Sequence, residues 1–291
     1  MMRIGMTLPV MEPGLSRKDL ENWTKSIDGG PWSHIALGER ILFPNPEFIS
    51  TLSAVAAWTN RVEIIATISI LTMHDPVLSA KQFATIDMLS EGRFTLGVGV
   101  GGREEDYNSI GANWSDRRWG KLSKKVKIMQ SIWNNTYELS LGPKTFSANG
   151  PEILAGAVGP KAMEMSVDFS SGLAGFSFNA DIQEIEDSFK RVKNAHEAKG
   201  KTPRLITSFW FGLGDKARED IEIHLQRYLA WMGPDLAKDL SRSAGLAGNE
   251  RDLKVFLEEI KALGASDVIL VPTSKDINQL KLAEEIVSSF Q

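Results

Sequence analysis

The feature that most constrains the fold is an alternation of short apolar strands and amphipathic helices along the whole chain. Eight segments rich in apolar and β-branched residues are each followed by a segment whose apolar residues recur at helical spacing. The predicted strands are 3–8, 35–38, 62–70, 93–96, 153–155, 173–178, 205–213 and 268–271. Eight strand–helix repeats predict an α/β fold of the parallel (β/α)8 barrel class.

The competing fold is a doubly wound open sheet. That fold would need fewer strands, or a change of composition that marks a second domain, and the sequence shows neither. A chain of 291 residues is long enough to build one large barrel. We therefore predict a single (β/α)8 domain over residues 1–291, with longer loops near 135–151 and 232–250.

The amino-acid composition argues against several kinds of binding partner and several kinds of catalytic chemistry. The absence of cysteine excludes disulfides and thiolate catalysis, and no His/Asp/Glu set has metal-ligand spacing, so no metal is predicted. A net charge of −4 without a basic stripe argues against nucleic acid. The sequence lacks both an apolar run long enough to span a membrane and the apolar region of a signal peptide. We expect a cytoplasmic protein with a small-molecule substrate and no membrane partner.

The most informative stretch runs from His74 to Gly120. Asp75 followed by Pro76 predicts the N-cap and first turn of a helix. Gly92 predicts the left-handed residue that ends this helix. The strand that follows gives way to the glycine-rich stretch 97–102, where bare backbone lets a large ligand come close.

Three of these glycines, Gly97, Gly99 and Gly102, have the spacing of a dinucleotide-binding turn. In that motif the glycines open directly into a packed helix, and an acidic residue ends the next strand. Here the charged residues 103–106 follow, which we interpret as a polar loop, and the chain then leads into another helix. We therefore interpret the stretch as the fourth strand end of a barrel.

Catalytic and ligand-binding groups of a barrel gather at the carboxyl ends of its strands. Glu39 and Arg40 follow the second strand and His74 follows the third, so these are the candidate catalytic residues. They also have a structural interpretation, as a rim ion pair and a helix-entry residue. The candidate cofactor-binding residues are Ser69, Ile70, Gly99, Val100, Gly101, Gly102, Glu105, Gly156, Ala157, Val158 and Gly159. Ser177, Asn179 and Trp210 lie at the ends of strands six and seven.

The turn 156–159 predicts a phosphate site. Its glycines free backbone amides, and Pro160 opens a helix whose N-terminus favours an anion. An ordinary strand-to-helix turn is the alternative interpretation.

Two long stretches, 76–111 and 151–178, carry a family resemblance. Together with Arg117 or Arg118 and the helix that ends at Ile132 and Trp133, they resemble the bacterial luciferase-like flavin or deazaflavin oxidoreductases. The resemblance implies a (β/α)8 barrel that binds reduced FMN, or alternatively coenzyme F420, at its carboxyl-terminal face. It also implies a homodimer.

The resemblance assigns roles to individual positions. Ser69 and Ile70 match the family's non-proline cis peptide, a bulge that supports the flavin ring from behind. Residues 99–102 and Glu105 match the loop that lines the ring and tail, and residues 156–159 match the phosphate-binding turn. The chain has Glu39 and Arg40 where several members have a histidine, and Val100 where luciferases have an arginine.

Three functions follow from this resemblance. The first is a monooxygenase that uses reduced FMN, supplied by a flavin reductase, to oxygenate a small organic substrate. There, Arg40 or His74 would stabilise negative charge on the flavin. The second is F420-dependent hydride transfer, for which Arg103, Arg117, Arg118 and Lys161 could bind the anionic tail. The third is a flavin-binding protein without catalysis, because the histidine after strand two is missing.

Overall fold

The computed structural model describes residues 2–157 and 159–290. Its strands are β1 (Arg3–Thr7), β2 (His34–Leu37), β3 (Glu63–Ser69), β4 (Phe94–Val98), β5 (Glu152–Ala155), β6 (Gly172–Ala174), β7 (Arg204–Leu213), β8 (Leu246–Gly248) and β9 (Asp267–Pro272). Its α-helices are α1 (Arg17–Gly29), α2 (Phe48–Trp58), α3 (Pro76–Leu89), α4 (Glu104–Ser109), α5 (Trp119–Trp133), α6 (Pro160–Ser166), α7 (Ile182–Glu197), α8 (Ala217–Tyr228), α9 (Pro234–Ser243), α10 (Glu250–Ala262) and α11 (Asn278–Ser288).

The described chain forms two compact units. The first unit consists of the residues up to Ile35, the segment Gly175–Lys190 and the residues from Arg204 onwards. The second unit consists of Ala36–Ala174 and Arg191–Pro203. That residues 1–291 form a single domain stays a prediction.

The second unit is built on parallel strands in chain order. β3 pairs with β4, β4 pairs with β5, and β5 pairs with β6. Helix α3 packs against α2 and α5. Because the strands are parallel, their carboxyl ends meet at one edge, and the segments that leave this edge carry most of the predicted site residues.

The first unit has a different strand order. β9 lies between β1 and β7, and β8 pairs with the last residues of β7, all in parallel. Helices α8 and α9 pack against each other, and α8 also packs against β7.

Local signals in the sequence define several element boundaries. The side chain of Asp75 accepts hydrogen bonds from the backbone of Val77 and Leu78, with Pro76 in the first turn, so the predicted N-cap of α3 is confirmed. Gly92 has a φ of +80°, as predicted for the residue that ends this helix region.

Two segments differ from their predictions. The segment 232–250, predicted as a loop, contains α9 and β8. Its fold depends on tertiary packing, because Ala237 and Leu240 of α9 lie in the apolar cluster around Trp210. The charged residues 103–106, predicted as a loop, form the N-cap and first turn of α4. The acidic first turn suits the positive end of the helix dipole, and Asp106 and Tyr107 are buried.

None of the helices in residues 2–157 and 159–290 is long and apolar enough to cross a membrane.

Candidate functional site

A bulge interrupts β3 near its carboxyl end. The strand pairs with β4 as far as Ala66, and pairing resumes at Ser69 with one additional residue on β3. The peptide bond between Thr67 and Ile68 inside this bulge is cis. The position predicted for the cis bond, Ser69–Ile70, is therefore wrong by two residues. The reason is that the pairing of Ser69 with Val98 keeps Ser69 in the regular strand, and the sequence does not reveal this register.

The glycines at the ends of β4 and β5 accommodate this bulge. A Cβ atom on Gly97 would lie 2.3 Å from the carbonyl oxygen of Ala66, and one on Gly99 would lie 2.5 Å from Cδ1 of Ile68. A Cβ on Gly156 would lie 3.0 Å from Cγ2 of the same isoleucine. Gly97 is thus required by the close approach of backbone, while a side chain at Gly99 or Gly156 would crowd the side chain of Ile68.

Gly101 has the same kind of constraint. It has a φ of +63°, and a Cβ there would lie 2.7 Å from Cγ2 of Ile70. Gly102 and Gly159 differ, because among residues 2–157 and 159–290, apart from the chain neighbours, no atom lies within 4 Å of the position of an added Cβ. Open space beside the backbone is thus found at Gly102 and at the predicted phosphate turn, of which Ala157 is buried and Val158 lies outside the described residues.

Glu39 is buried directly after β2, and its carboxylate holds the end of β3. One oxygen accepts hydrogen bonds from the backbone N–H of Ile70 (2.6 Å) and from Oγ of Ser69 (3.3 Å). The other oxygen lies within hydrogen-bond distance of Nε2 of His74, at 2.7 Å. The His74 side chain keeps 30% of its surface exposed. The structure thus brings together two of the three predicted catalytic residues.

Arg40 is placed differently. Its side chain is buried, with Nε 3.5 Å from Oδ2 of Asp106, and its guanidinium lies 4.7 Å from the ring centroid of Phe43. The other oxygen of Asp106 accepts the backbone N–H of Leu42 at 2.7 Å. This buried pair fastens the segment after β2 to α4. Glu105, also on α4, is exposed.

Tyr107 is a site residue that the sequence interpretation missed. Its hydroxyl donates to the carbonyl oxygen of Val100 at 2.7 Å and accepts from the hydroxyl of Thr72. Burial raises the pKa of the Tyr107 hydroxyl above its ordinary value. One sequence signal could have identified Tyr107: it is the single aromatic residue within a charged stretch. Such a residue indicates the face of a short helix that packs against the protein.

Two further cationic side chains, those of Lys125 and Arg117, donate hydrogen bonds to backbone carbonyl oxygens in the second unit. Lys125 on α5 donates to the carbonyl oxygens of Thr72 (2.8 Å) and His74, and burial lowers the pKa of its ammonium group. The exposed Arg117 donates from Nε to the carbonyl oxygen of Gly101 at 2.8 Å and lies over the ring of Trp114. Lys125 therefore fixes the segment after β3, and Arg117 fixes the end of the glycine stretch.

The second unit thus presents a strand edge with two kinds of surface. One is bare glycine backbone beside a partly exposed bulge, Thr67 and Ile68, which suits a flat ring. The other is the partly exposed imidazole of His74, oriented by a buried carboxylate. In the first unit, Ser177 and Trp210 are buried and Asn179 is exposed.

Comparison with solved structures establishes the fold class. The monooxygenase RslO1 from Streptomyces bottropensis superposes with a TM-score of 0.81 at 16% identity over 99% of both chains. An F420-dependent secondary alcohol dehydrogenase in complex with an F420–acetone adduct gives a TM-score of 0.79 at 14% identity, over 100% of this chain and 99% of the other. The predicted (β/α)8 barrel class is confirmed.

A family model of luciferase-like monooxygenases matches residues 28–269. The chain therefore belongs to the luciferase-like monooxygenase family. The family and the enzyme class predicted from the resemblance, a luciferase-like oxidoreductase, are confirmed.

Curated relatives include pyrimidine monooxygenases named RutA. The protein from Methylorubrum populi is 24% identical over 225 residues, which cover 69% of this chain and 58% of that protein. The protein from Rhizobium rhizogenes is 24% identical over 267 residues, which cover 83% of this chain and 70% of that protein. The chain thus spans between about half and about two thirds of the length of these relatives.

Proposed function

We propose that the chain is a flavin-dependent monooxygenase that binds reduced FMN at the strand edge of its second unit and oxygenates a small organic substrate. The observation that carries this proposal is the bulge between Ala66 and Ser69, which lies against the backbone of Gly97, Gly99 and Gly156. A flat ring laid against this bulge meets peptide backbone and an isoleucine side chain. Family membership supports the same conclusion.

The residues fit FMN in two respects. A partly exposed, side-chain-poor surface suits the ring, and the open space beside Gly102 and Gly159 leaves room for the ribityl phosphate. Ser69, Ile70, residues 99–102 and residues 156–159 would hold the cofactor, with backbone amides of the turn binding the phosphate. Bound reduced FMN would supply the electrons that activate dioxygen.

The protein's own polar groups would control protons. We propose that His74 exchanges a proton with the reacting partners while Glu39 fixes its tautomer and orientation. Arg40 is a positioning residue in this scheme, because its guanidinium pairs with buried Asp106. Glu105 borders the glycine stretch from the exposed face of α4.

The proposal also covers the location of the protein, its oligomeric state and the source of its reduced flavin. We propose a cytoplasmic homodimer that receives reduced flavin from a separate flavin reductase. Relatives are named pyrimidine monooxygenases, and a pyrimidine is one candidate substrate.

F420-dependent hydride transfer is the second candidate. The observation that favours it is the fold shared with an F420-dependent alcohol dehydrogenase. Arg117 contacts the glycine stretch, and Lys161 is exposed next to the turn 156–159, so both could bind an anionic tail.

The test is a titration of the purified chain with FMN, reduced FMN and F420, followed by flavin absorbance and fluorescence. We expect micromolar or tighter binding of reduced FMN, weak binding of F420, and oxygen consumption that requires a flavin reductase and is coupled to substrate oxygenation. Preferential binding of F420 would favour hydride transfer. Flavin binding without turnover on any substrate would favour a non-catalytic flavin-binding protein, and binding of neither cofactor would refute the proposal.

A further inference from the structure

Helix α5 of the second unit carries several lysines, and one of them has different surroundings from the others. Lys121, Lys124 and Lys127 are exposed, whereas Lys125 is only partly exposed. Lys125 lies one turn after the fully buried Leu122, so its aliphatic stem follows the edge of the buried face of the helix. Its ammonium group is therefore held against the protein, while the other three are solvated.

The ammonium group of Lys125 binds the backbone of the segment that carries His74. Its Nζ donates to the carbonyl oxygen of Thr72 at 2.8 Å and to that of His74. This segment contains the short 3-10 helix Leu71–Met73, and the last carbonyl groups of a helix lack partners within it. Pro76 has no N–H, so a continued helix could not supply a donor for the carbonyl of Thr72, four residues earlier. Lys125 thus supplies the donor that Pro76 cannot.

His74 is therefore held at two points. Oε1 of the buried Glu39 lies 2.7 Å from Nε2 of the imidazole ring, and Lys125 binds the main-chain carbonyl of the same histidine. The carboxylate of Glu39 is itself fixed, because its other oxygen accepts the backbone N–H of Ile70 at 2.6 Å. A functional side chain keeps a productive orientation when its supporting contacts fix both its backbone and its polar group.

Thr72 connects these contacts to the glycine stretch. Its carbonyl oxygen accepts from Lys125, and its hydroxyl donates to the hydroxyl of Tyr107. The Tyr107 hydroxyl donates in turn to the carbonyl oxygen of Val100 at 2.7 Å. Hydrogen bonds thus run from α5 through Thr72 to the end of β4, all within the second unit. The segment that carries His74 therefore has a fixed position relative to the glycine stretch.

The charge of Lys125 is costly where it lies. Burial lowers the pKa of its ammonium group, and the carboxylates of Asp116 and Asp75 offset part of this effect. An apolar side chain of similar length would avoid the cost of partly burying a charge. A residue that breaks a local rule in this way is expected where the site needs it.

We propose that Lys125 is a positioning residue for His74. By holding the carbonyl oxygens of Thr72 and His74, it keeps the imidazole in the orientation that the carboxylate of Glu39 selects. This inference rests on the proposed monooxygenase function, in which His74 exchanges a proton with the reacting partners. It requires no contact between Lys125 and the flavin, because Lys125 acts through His74.

Nitrogen-15 NMR of the His74 ring in the full chain, without cofactor, tests this positioning. The chain has four histidines, and His74→Gln assigns the signals. At a pH where the ring is neutral, we expect one dominant tautomer in the wild type. Lys125→Met keeps the length of the side chain but removes the donors, and it should lower the ratio of the two tautomers by at least about threefold. Lys125→Arg keeps a cationic donor and should restore the ratio to within about twofold of the wild type.

The matched control is Lys124→Met, which removes the same charge from an exposed position on the same helix. The proposal is overturned if Lys125→Met keeps the wild-type tautomer ratio. It is also overturned if Lys124→Met changes the ratio equally, because the effect would then come from charge alone. If circular dichroism shows that Lys125→Met does not fold, Lys125→Gln replaces it, since its amide is too short to reach both carbonyl oxygens, and the same loss is expected.

A second measurement, the oxidation in air of reduced FMN bound to the same variants, separates this inference from the proposed function. We expect the rate to fall about tenfold in Lys125→Met and to stay within about threefold of the wild type in Lys125→Arg and Lys124→Met, with FMN affinity unchanged. A changed tautomer ratio with an unchanged oxidation rate would support Lys125 as the positioning residue and remove His74 from the reaction. If the chain binds neither FMN nor F420, the monooxygenase proposal fails, and the tautomer ratio still decides whether Lys125 positions His74.

Discussion

The glycines at the end of β4 and those in the turn after β5 look alike in the sequence but have different surroundings. Gly97 and Gly99 are closely packed by the β3 bulge, while Gly159 in the turn faces open space, as does Gly102. Gly156 contacts Ile68 and so belongs with the first kind. The comparison teaches that a glycine-rich stretch can be required by a neighbouring strand, and that a ligand needs only the glycines that border empty space.

The largest expected effect comes from Gly97→Ala. The added methyl would lie 2.3 Å from the carbonyl oxygen of Ala66, and this backbone atom cannot move without disrupting the pairing of β3 with β4. We expect the free energy of unfolding in urea to fall by about 3 kcal/mol or more. The control is Gly29→Ala, where no described atom outside the chain neighbours and the backbone of α1 lies within 4 Å of the new methyl. Similar stabilities for both variants would show that the bulge is not packed as described.

The next largest effect is expected for Gly99→Ala, in which the new methyl meets a side chain where that of Gly97→Ala meets backbone. Gly99→Ala places its methyl 2.5 Å from Cδ1 of Ile68, the end of a flexible side chain, so we expect a loss of about 1–3 kcal/mol. Ile68→Val removes that Cδ1 atom and should restore part of the loss when combined with Gly99→Ala. A double-mutant cycle measures this coupling. Additive effects would mean that Ile68 does not cover Gly99.

Substitutions of Glu39 test the hydrogen bonds that its carboxylate makes with Ile70 and His74. Glu39→Ala leaves the buried N–H of Ile70 without its acceptor, so we expect a loss of about 1–3 kcal/mol in unfolding free energy. Glu39→Gln keeps an acceptor for this N–H and should lose less. Both variants should change the imidazole NMR signals of His74, because the bond to Nε2 is altered. Unchanged His74 signals in both variants would contradict the Glu39–His74 contact.

Tyr107→Phe removes a hydroxyl with two partners, and we expect it to lower the free energy of unfolding by about 1 kcal/mol at neutral pH. The effect depends on pH. Burial raises the pKa of Tyr107 in the folded state, so the folded chain holds this proton more tightly than the unfolded chain. The resulting stability is present below the ordinary tyrosine pKa of about 10 and is lost as the pH rises through the folded pKa.

Urea unfolding at several pH values between neutrality and the alkaline range checks this dependence. The wild type should lose stability at alkaline pH more steeply than Tyr107→Phe. Parallel profiles for the two proteins would show that Tyr107 ionises equally easily in the folded and unfolded chains.

The smallest effect on stability is expected at Gly102 and Gly159, where an added Cβ would face open space. Gly102→Ala and Gly159→Ala add methyls to empty space, so the free energy of unfolding should change by less than about 0.5 kcal/mol. FMN affinity should nevertheless fall in both variants and stay unchanged in Gly29→Ala, because the cofactor would occupy that space. Full FMN affinity in both would remove these glycines from the proposed site.

The sequence predicted much of the fold because its signals there are local. All eight predicted strands correspond to strands of the structure, and the Asp75 cap and the Gly92 stop are found as expected. The ninth strand, β8, was missed because three residues carry no measurable periodicity. Helix α9 was missed because its stability comes from packing near Trp210.

The sequence predicted which residues lie at the candidate site, but it did not predict the hydrogen bonds and ion pairs between them. The rule that ligand groups gather at strand ends selected Glu39, His74 and the glycine stretch. It could not reveal that Glu39 and His74, 35 residues apart, share a hydrogen bond, or that Arg40 is paired with Asp106. Tyr107 and Lys125 were missed because both act on backbone atoms that only the folded chain brings near them.

What the sequence determined by itself was the order of strands and helices, their caps, and membership of the family, since these depend on periodicity and on motifs of neighbouring residues. The tertiary structure decided where the β3 bulge falls, which glycines it covers, and which stay open. The physical reason is that strand register and side-chain pairing are set by the packing of distant segments. One residue of register moves every side chain of a strand to its other face.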